Sequence, residues 1–519
     1  MKAHEQAQSN DKIVAIISRI RSKNVRLWIE DGALRYKAPK GALTSQELEE
    51  LKSYKEQVTA SLSQSANDRE IASEFRVTST AEYFPLTHPQ LAHWRANNLA
   101  ARPSLRNLML VLRFSGRLDI SCLDQSLVET ALRHDALRTQ IVTIDGLPKQ
   151  KVCRANSNYL QNGDLVRLPH NTKDSEIKRL LETYALEPVD VSRDALFSAR
   201  LLRLNADVHV LALALEHLVS DRWSMNILHR ELLEIYKCKS KGLAVSLSPI
   251  SVQFSDFALW QNQQQNWWLQ QHGKYWADRM HGGSRARFPT NPTRIKNVKT
   301  AWKSIPLELD SDVTAKLRKW CLATGTTLAM SVFCAYTALT LRWCSTSDAV
   351  IGYQILARLD PKVENTVGYF SSALFLRIQT SIGDRLIDLL RSVTQEYCSA
   401  YNHVDSGYLD AQVSELDFVR TTIFNWLPHE PGGNLDQILP LAGDLVSSPV
   451  PFAHPGSARY DLEPQVVFED RGNKIVGSVS FPETRFQAEQ MEKFSRNIVM
   501  FVVILSSLPE TSLANIRLI

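Results

Sequence analysis

The chain has 519 residues, a length that predicts several domains, and 44% of them are hydrophobic, as in globular proteins with sizeable cores. A net charge of +5 is mild for this length, so composition favours neither a nucleic acid nor an anionic membrane as a partner. The seven cysteines form no Cys-x-x-Cys pair, and we expect reduced, mostly buried thiols and not disulfides or metal ligands.

The first 65 residues predict a small helix-hairpin-helix unit. Residues 13–20 carry isoleucines at helical spacing. Two strand-like runs then flank Asp31-Gly32, and an Asp-Gly between such runs is a strong hairpin signal. Residues 44–47 (TSQE) form a capping box, which predicts that a second helix begins there.

The remaining chain is predicted to hold a linker and two lobes. The linker covers residues 66–78, where Ser, Asn, Asp and Glu are frequent and hydrophobic periodicity fades. The first lobe is assigned to residues 79–280 and the second to residues 281–519. Glycines, prolines and many cations near 277–299 predict a crossover loop between the lobes, and apolar residues at helical spacing over 313–344 predict helices of the second lobe.

The end of one predicted strand carries the residues that point to chemistry. Residues 208–215 are an apolar run typical of a buried strand, and residues 223–236 have the apolar spacing of an amphipathic helix. His217 and Asp221 therefore lie on a strand-to-helix turn, where side chains can face a cleft. An imidazole is the usual proton-handling group near neutral pH, and a carboxylate four residues away can fix the loop or the ring.

Spacing alone is a weak indication, because 13 histidines and 55 acidic residues make chance pairs common, and His170 with Asp174 is one. The strand before and the helix after His217 strengthen the case for that residue. The sequence contains no Gly-rich phosphate loop and no zinc-ligand spacing, so no metal site is predicted. The N-terminus is polar, and the longest apolar run, 498–505, is far shorter than the ~20 residues of a membrane helix. We therefore expect a cytoplasmic protein in which that run forms a core helix.

Several segments in one consistent order carry a family resemblance. Residues 216–222 (EHLVSDR) resemble the His-His-x-x-x-Asp-Gly core of nonribosomal peptide synthetase condensation domains, which belong with chloramphenicol-acetyltransferase-like acyltransferases. The resemblance implies an α/β (α+β) fold of two such lobes in a V, with the active site at their junction. Ser372 and Ala373 stand where the family usually has Asn and Thr. The companion segments are residues 84–94 (FPLTHPQLAHW), 133–139 (RHDALRT), 254–261 (FSDFALWQ) with Tyr275-Trp276, 367–377 (VGYFSSALFLR) and, more weakly, 401–405 (YNHVD).

The resemblance implies roles for three residues. His217 matches the second His of the family motif, which is the residue near the new bond. Asp221 is implied to be structural, and Arg358 stands where the family has the Arg that pairs with this Asp. A buried carboxylate needs such a partner, although Arg358 could instead be an exposed loop cation.

Two positions of the motif depart from the family pattern, and Trp223 and Ser224 follow them in the chain. Glu216 replaces the first His, which is largely structural in the family, so this change by itself does not predict a loss of activity. Arg222 replaces the Gly and places a long cation where the acyl-thioester arms should meet. Arg222 could narrow the tunnel, pair with Glu216, or bind an acidic group of the substrate.

The resemblance implies that an amide, or an ester, forms between a donor acyl thioester and an acceptor nucleophile. His217 could accept the proton of the amine, or hold the amine and stabilise developing charge. Donor and acceptor carrier proteins are implied as partners, and each presents its cargo on a 4′-phosphopantetheine arm. No permanently bound cofactor, nucleic acid or membrane is expected.

The N-terminal unit resembles the TubC-type docking domain found at the start of synthetase subunits. An edge strand with basic flanks could capture an acidic C-terminal peptide of an upstream subunit by strand addition. The alternative is an ordinary solvated charged face. The candidate docking residues are Arg26, Trp28, Arg35, Tyr36, Lys37 and Lys40.

Other functions compete with an active condensation enzyme. A catalytically silent platform that binds carriers or tailoring enzymes is supported by Glu216 and Arg222. Epimerisation domains usually follow a carrier, a heterocyclisation domain would carry aspartates in place of the histidines, and a free acyl-CoA acyltransferase has no use for a docking hairpin. The chain is expected to be a stand-alone subunit or the front of a longer synthetase.

Overall fold

A computed structural model describes most of the two lobes and part of the N-terminal unit. Predictions that fall on other residues, including Lys40, the Asp31-Gly32 turn, the linker 66–78 and residues 291–299, lie outside the described residues. The described residues are 16, 20, 25–30, 33–37, 43, 45–59, 81–99, 104–105, 108–290, 302–358, 360–404, 421–428, 438–452 and 463–519.

The secondary structure mixes helices and strands throughout. The strands are β1 Arg26–Glu30, β2 Ala33–Lys37, β3 Tyr83–Pro85, β4 Ser104–Leu105, β5 Leu108–Ser115, β6 Thr139–Ile144, β7 Leu147–Val152, β8 Leu160–Asp164, β9 Pro188–Val189, β10 Phe197–Arg203, β11 Val208–Leu215, β12 Trp302–Leu309, β13 Asp348–Leu356, β14 Ser371–Gln379, β15 Ile423–Leu427, β16 Leu439–Pro440, β17 Val446–Pro449, β18 Gln465–Asp470 and β19 Ile475–Pro482. The α-helices are α1 Ser45–Ser53, α2 His88–Leu99, α3 Ile120–Arg133, α4 His170–Ala185, α5 Arg222–Ser240, α6 Phe254–Met280, α7 Ser311–Thr324, α8 Leu328–Trp343, α9 Leu386–Asn402 and α10 Ala488–Ser507.

The N-terminal unit contains the predicted hairpin. Strands β1 and β2 pair antiparallel, with Trp28 opposite Arg35, which confirms the two strands inferred from the sequence. A small core of apolar side chains stabilises the unit, because burial removes them from water. It comprises Ile16, Ile20, Val25, Leu27, Leu51 and Val58.

The first lobe is built on a six-stranded sheet in the order β16-β17-β5-β11-β10-β8. Strand β11 is almost entirely buried because both faces of the sheet are covered. Leu211, Leu213 and Leu215 pack into the larger core with α3 and α5, while the alternate residues face the core that includes α4. This two-sided burial explains the continuous apolar run and places the end of β11 deep in the molecule.

The second lobe is built on another six-stranded sheet, in the order β12-β19-β18-β15-β13-β14. Helices α7 to α10 pack in its core, including the predicted core helix, which spans Ala488–Ser507. The helical pattern over 313–344 is divided into α7 and α8 because Gly325 adopts a left-handed conformation with φ of 70°.

The two lobes are interlocked by three segments. Helix α6 begins in the core of the first lobe with Phe254 and ends in the core of the second with Trp276. The loop that carries Val367 and Phe370 packs into the core of the first lobe. Strand β17 pairs with β5 of the first-lobe sheet, although its residues lie in the range 281–519 that the sequence assigned to the second lobe.

Other sequence expectations concern thiols, metals and membranes. All seven cysteines are free, and four of them are buried. The part of the chain that the structure describes contains no group of three or more His, Cys, Asp or Glu side chains that could hold a metal ion. No single described helix is long and apolar enough to cross a membrane, and only the bent pair α7 and α8 meets that criterion together.

Candidate active site

The candidate site is formed where β11 meets α5. After Leu215, the Glu216 backbone N–H donates to the Leu196 carbonyl at 2.9 Å, and residues His217–Val219 make one 3-10 turn. Asp221 then caps α5, because its Oδ1 accepts the Ser224 backbone N–H at 2.7 Å. An aspartate at this position satisfies a helix N–H that has no partner within the helix.

Asp221 is also paired with Arg358, which follows β13 in the second lobe. Arg358 Nη2 lies 3.1 Å and 3.2 Å from the two carboxylate oxygens, and both side chains are almost completely buried. Arg358 Nη1 donates to the carbonyls of Val363 at 2.8 Å and Thr366 at 2.6 Å. The guanidinium therefore lies in a fixed network and not in an exposed loop.

The same cap holds a loop of the second lobe against α5. The Phe370 backbone N–H donates to Asp221 Oδ2 at 3.1 Å, and the Gly368 N–H donates to Ser224 Oγ at 3.0 Å. Trp223 Nε1 donates to the Glu364 carbonyl at 2.9 Å. Three residues of the turn motif thus fix the junction of the lobes.

His217 is half-buried at this junction. Its Nδ1 lies 2.8 Å from the Ser220 carbonyl oxygen, which can only accept a hydrogen bond. Nδ1 must therefore carry the proton, and in the neutral ring Nε2 is the nitrogen with the lone pair. The Tyr369 ring lies edge-on at 4.9 Å between centroids, and the His93 ring at 5.6 Å.

Glu216 is fully buried directly before His217. Its Oε2 accepts the Leu218 backbone N–H, and within the described chain its Oε1 has no hydrogen-bond partner. Burial in a low-dielectric interior raises the pKa of this carboxyl to about 8, because the charged form loses its hydration. At neutral pH, Glu216 is therefore an uncharged acid.

Arg222 points away from Glu216. Its side chain is 52% exposed, and its Nη2 lies 3.5 Å from Oε1 of Glu469, a residue of β18 in the second lobe. The predicted alternative of an Arg222–Glu216 pair is wrong, since Glu216 is buried and accepts only from the backbone. A narrowed tunnel and binding of an acidic substrate group stay predictions.

The segment 133–139 is a structural junction. Arg133 Nε and His134 Nε2 lie 2.7 Å and 2.8 Å from the Glu231 carboxylate on α5. The buried Asp135 accepts the backbone N–H of Phe254 at 3.3 Å at the start of α6. This motif therefore ties α3, α5 and α6 together.

The candidate docking residues lie partly outside the described side chains. Arg35 and Tyr36 are exposed on β2. Arg26, Trp28 and Lys37 lie in the hairpin strands, but their side chains are not among those described. His170 and Asp174, the chance pair of the sequence, are far less enclosed than His217 and lie on α4.

Sequence reasoning assigned no role to two rings beside His217. His93 lies in the segment 84–94 and Tyr369 in the segment 367–377, and both segments carry the family resemblance. The spacing of His93 three residues after Gln90, on one face of α2, is a signal that could have been used. The contact itself depends on tertiary structure.

The matches to known proteins agree with this architecture. Residues 80–519 match the model of the condensation domain family, and residues 13–64 match that of the TubC N-terminal docking domain. The chain belongs to the condensation domain family of nonribosomal peptide synthetases, here preceded by a docking domain. The family assignment and the chloramphenicol-acetyltransferase-like fold predicted from the sequence are confirmed.

Individual relatives cover different shares of the chain. A linear gramicidin synthase of Brevibacillus parabrevis is 29% identical over 366 residues, which is 69% of this chain but only 7% of that protein. The X-domain in its complex with OxyB from teicoplanin biosynthesis superposes with a TM-score of 0.74 at 19% identity, covering 86% of this chain and 98% of that one. The EpoB cyclization-docking bidomain of Sorangium cellulosum gives 0.70 at 17% identity, covering 98% and 100%. At these identities the solved structures show a shared fold alone.

Proposed function

We propose that the chain is an active condensation enzyme that joins a carrier-bound donor acyl thioester to a carrier-bound acceptor amine, or hydroxyl. The observation that carries this proposal is the setting of His217. It lies half-buried at the junction of the lobes, and its Nδ1–H is held by the Ser220 carbonyl at 2.8 Å. That tautomer presents Nε2 as a proton acceptor, which the reaction needs.

The proposed step conserves atoms and charge. The acceptor nitrogen attacks the thioester carbonyl carbon, a C–N bond forms, and the carbonyl oxygen becomes an oxyanion. The nitrogen loses a proton to His217 Nε2, and collapse of the tetrahedral intermediate breaks the C–S bond. His217 returns the proton to the departing thiolate, so the products are an amide and the free thiol of the donor arm. In this scheme the 4′-phosphopantetheine arms belong to the substrates.

Asp221 and Arg358 are proposed to be structural in this scheme. Their ion pair is enclosed by the Val363 and Thr366 carbonyls and by the Phe370 ring, which lies 4.1 Å from the guanidinium carbon. Both residues are nearly inaccessible to a substrate. Their effect on catalysis would be to hold the His217 turn and the facing loop in register.

The N-terminal unit is proposed to recruit an upstream subunit. Arg35 and Tyr36 are exposed on the hairpin, and strand addition would use the backbone of the same strands. A synthetic peptide of the upstream subunit's C-terminus would be titrated with the full chain. Arg35→Glu should weaken binding more than the matched exposed change Arg179→Glu on α4, and equal binding would contradict this docking surface.

A second candidate is a platform that binds carriers or a tailoring enzyme without chemistry. The observation in its favour is the Arg222–Glu469 pair, which crosses the junction of the lobes at 3.5 Å. The Arg222 side chain could obstruct the path of an acyl-thioester arm that the Gly of the family motif would leave open. The X-domain, a similar solved structure, is found in a complex with OxyB, which supports this candidate.

Reconstitution distinguishes the two candidates. The full chain would be mixed with donor and acceptor carriers loaded with candidate substrates, and the mass of the acceptor would be followed. We expect product from the wild type, loss of product in His217→Ala, and no change in the exposed control His170→Ala. Absence of product in the wild type, with carriers still bound and turnover gained in the double variant Glu216→His/Arg222→Gly, would favour the platform.

A further inference from the structure

Three aromatic rings from separate parts of the chain enclose one point of the site. The His93 and Tyr369 ring centroids are 5.5 Å apart, and each also approaches the His217 ring, at 5.6 Å and 4.9 Å. His93 comes from α2, His217 from the turn after β11, and Tyr369 from the loop before β14. The reaction scheme uses His217 alone and gives the other two rings no task.

Helix α2 is tied to the turn that carries His217. Gln90 Nε2 donates to the Leu218 carbonyl of that turn at 2.6 Å. The start of α2 is also held by α6, because the His88 backbone N–H donates to Gln261 Oε1 at 2.9 Å. His93 lies three residues after Gln90 and so occupies the same face of the helix. Because Gln90 contacts Leu218, His93 on the same face of the helix lies against His217, the residue directly before Leu218.

Tyr369 is held equally firmly from the other side. Its neighbours Gly368 and Phe370 donate their backbone N–H groups to Ser224 Oγ at 3.0 Å and Asp221 Oδ2 at 3.1 Å. Anchored on both sides, Tyr369 presents its ring to His217 at an interplanar angle of 84°. The Asp221 cap thus places a ring of the second lobe against the imidazole of the first.

We propose that His93 and Tyr369 are positioning residues that fix the plane of the His217 imidazole. The hydrogen bond from Nδ1 to Ser220 fixes one ring atom but permits the ring to rock about that bond. Two rings packed at different angles remove this freedom and keep Nε2 directed at one place. A displacement of about 1 Å of a reacting group can cost on the order of a hundredfold in rate. This inference deepens the proposed condensation function and rests on it for its effect on rate.

The first arm of the test measures turnover with loaded carriers. His93→Ala and Tyr369→Ala should each lower kcat at least tenfold, with the KM for the loaded acceptor carrier changed less than threefold. Because the proposed role is packing, the ring-retaining variants His93→Phe and Tyr369→Phe should each regain at least fivefold over the corresponding alanine variant. Wild-type turnover in His93→Ala, or a His93→Phe variant as slow as His93→Ala, would overturn the proposal.

The second arm does not depend on turnover. In protein labelled with ¹⁵N-histidine, the His217 signal is identified as the one missing from His217→Ala. We expect it to report the Nδ1–H tautomer in the wild type and in His93→Phe, and to shift or broaden in the two alanine variants. An unchanged His217 signal in both alanine variants would overturn the positioning role even if the reaction proceeds. A wild type without product would sink the condensation function, and this arm would still decide the ring arrangement. His170→Ala is the matched control in both arms, and thermal midpoints verify that each variant is folded.

Discussion

The Asp221 carboxylate and the Arg358 guanidinium form an ion pair at 3.1 Å between residues 137 positions apart in the chain. The pair joins the N-terminus of α5 in the first lobe to the end of β13 in the second. Because Asp221 also accepts the Ser224 and Phe370 N–H groups, one carboxylate organises both sides of the site. Stability and site geometry are therefore linked through this residue.

Removal of the Asp221 charge should be strongly destabilising. Asp221→Asn leaves the Arg358 guanidinium buried without a counter-charge, and breaking such a pair costs about 3–5 kcal/mol. Urea denaturation followed by tryptophan fluorescence measures the shift of the unfolding midpoint. Asp388→Asn is the matched control, because Asp388 pairs with Arg385 and Arg391 at the surface and its change should shift the midpoint far less. Equal shifts in the two variants would contradict the structural role of Asp221.

The buried Glu216 carboxyl predicts a pH-dependent stability difference. In the unfolded chain its pKa returns to about 4.5, whereas burial raises it to about 8 in the folded protein. Between these pH values the carboxyl keeps its proton in the folded protein and loses it in the unfolded chain. The contribution of the protonated carboxyl to the free energy of unfolding is therefore complete below pH 4.5 and is lost as the pH rises to about 8. The slope is about 1.4 kcal/mol per pH unit. Glu216→Gln keeps an acceptor for the Leu218 N–H and has no such dependence.

The pH dependence caused by Glu216 is tested by measuring unfolding midpoints at several values between pH 5 and pH 9. The wild type and Glu216→Gln are compared at each value. The stability of the wild type relative to the variant should fall with rising pH and level off above pH 8. The exposed Glu82→Gln, compared in the same way, is the control for the loss of one carboxyl group. A constant difference between the wild type and Glu216→Gln would mean that Glu216 is ionised in the folded protein.

Arg222 is predicted to affect substrate passage and not stability. Its pair with Glu469 is long and half-exposed, so Arg222→Ala should change the free energy of unfolding by less than about 1 kcal/mol. If the pair obstructs the site, Arg222→Ala and Glu469→Gln should alter turnover in the same direction, and the double variant should add little. Independent, additive effects of the two changes would show that they do not act as a pair.

The sequence was most informative where burial leaves little choice of residue. Strand β11 was predicted over 208–215 and is found over Val208–Leu215, because both of its faces are covered. Helix α5 was predicted over 223–236 and extends to Ser240, since Lys237 and Lys239 in its last turn carry no apolar signal. The hairpin β1–β2 was predictable because Asp-Gly between two strand-like runs is a strong hairpin signal.

Features that depend on distant contacts could not be predicted in this way. Strand β17 has only four residues and no clear alternation, so nothing in its sequence indicates that it joins the sheet of the first lobe. The approach of His93 and Tyr369 to His217 needs the Gln90 and Asp221 hydrogen bonds, which link remote segments. Glu216 was visible as a substitution, but its uncharged state follows from burial alone.

Gly368 offers a test of the loop that carries Tyr369. A Cβ at this position would overlap the buried Phe254 ring, with Cε2 only 2.8 Å away. Gly368→Ala should therefore cost about 1–3 kcal/mol through overpacking, and it should also displace Tyr369 from His217. Urea midpoints measure the first effect, and the ¹⁵N signal of His217 measures the second.

Two further variants separate this overlap from a general effect of adding a methyl group to the chain. Gly383→Ala is the matched control, because its Cβ would meet no heavy atom within 4 Å. Phe254→Ala removes the overlapping Cγ, Cδ2 and Cε2 atoms, so Gly368→Ala should cost less stability in the Phe254→Ala background than in the wild type. A Gly368→Ala protein with wild-type stability would show that the loop can move away from Phe254, and the fixed placement of Tyr369 would then be contradicted.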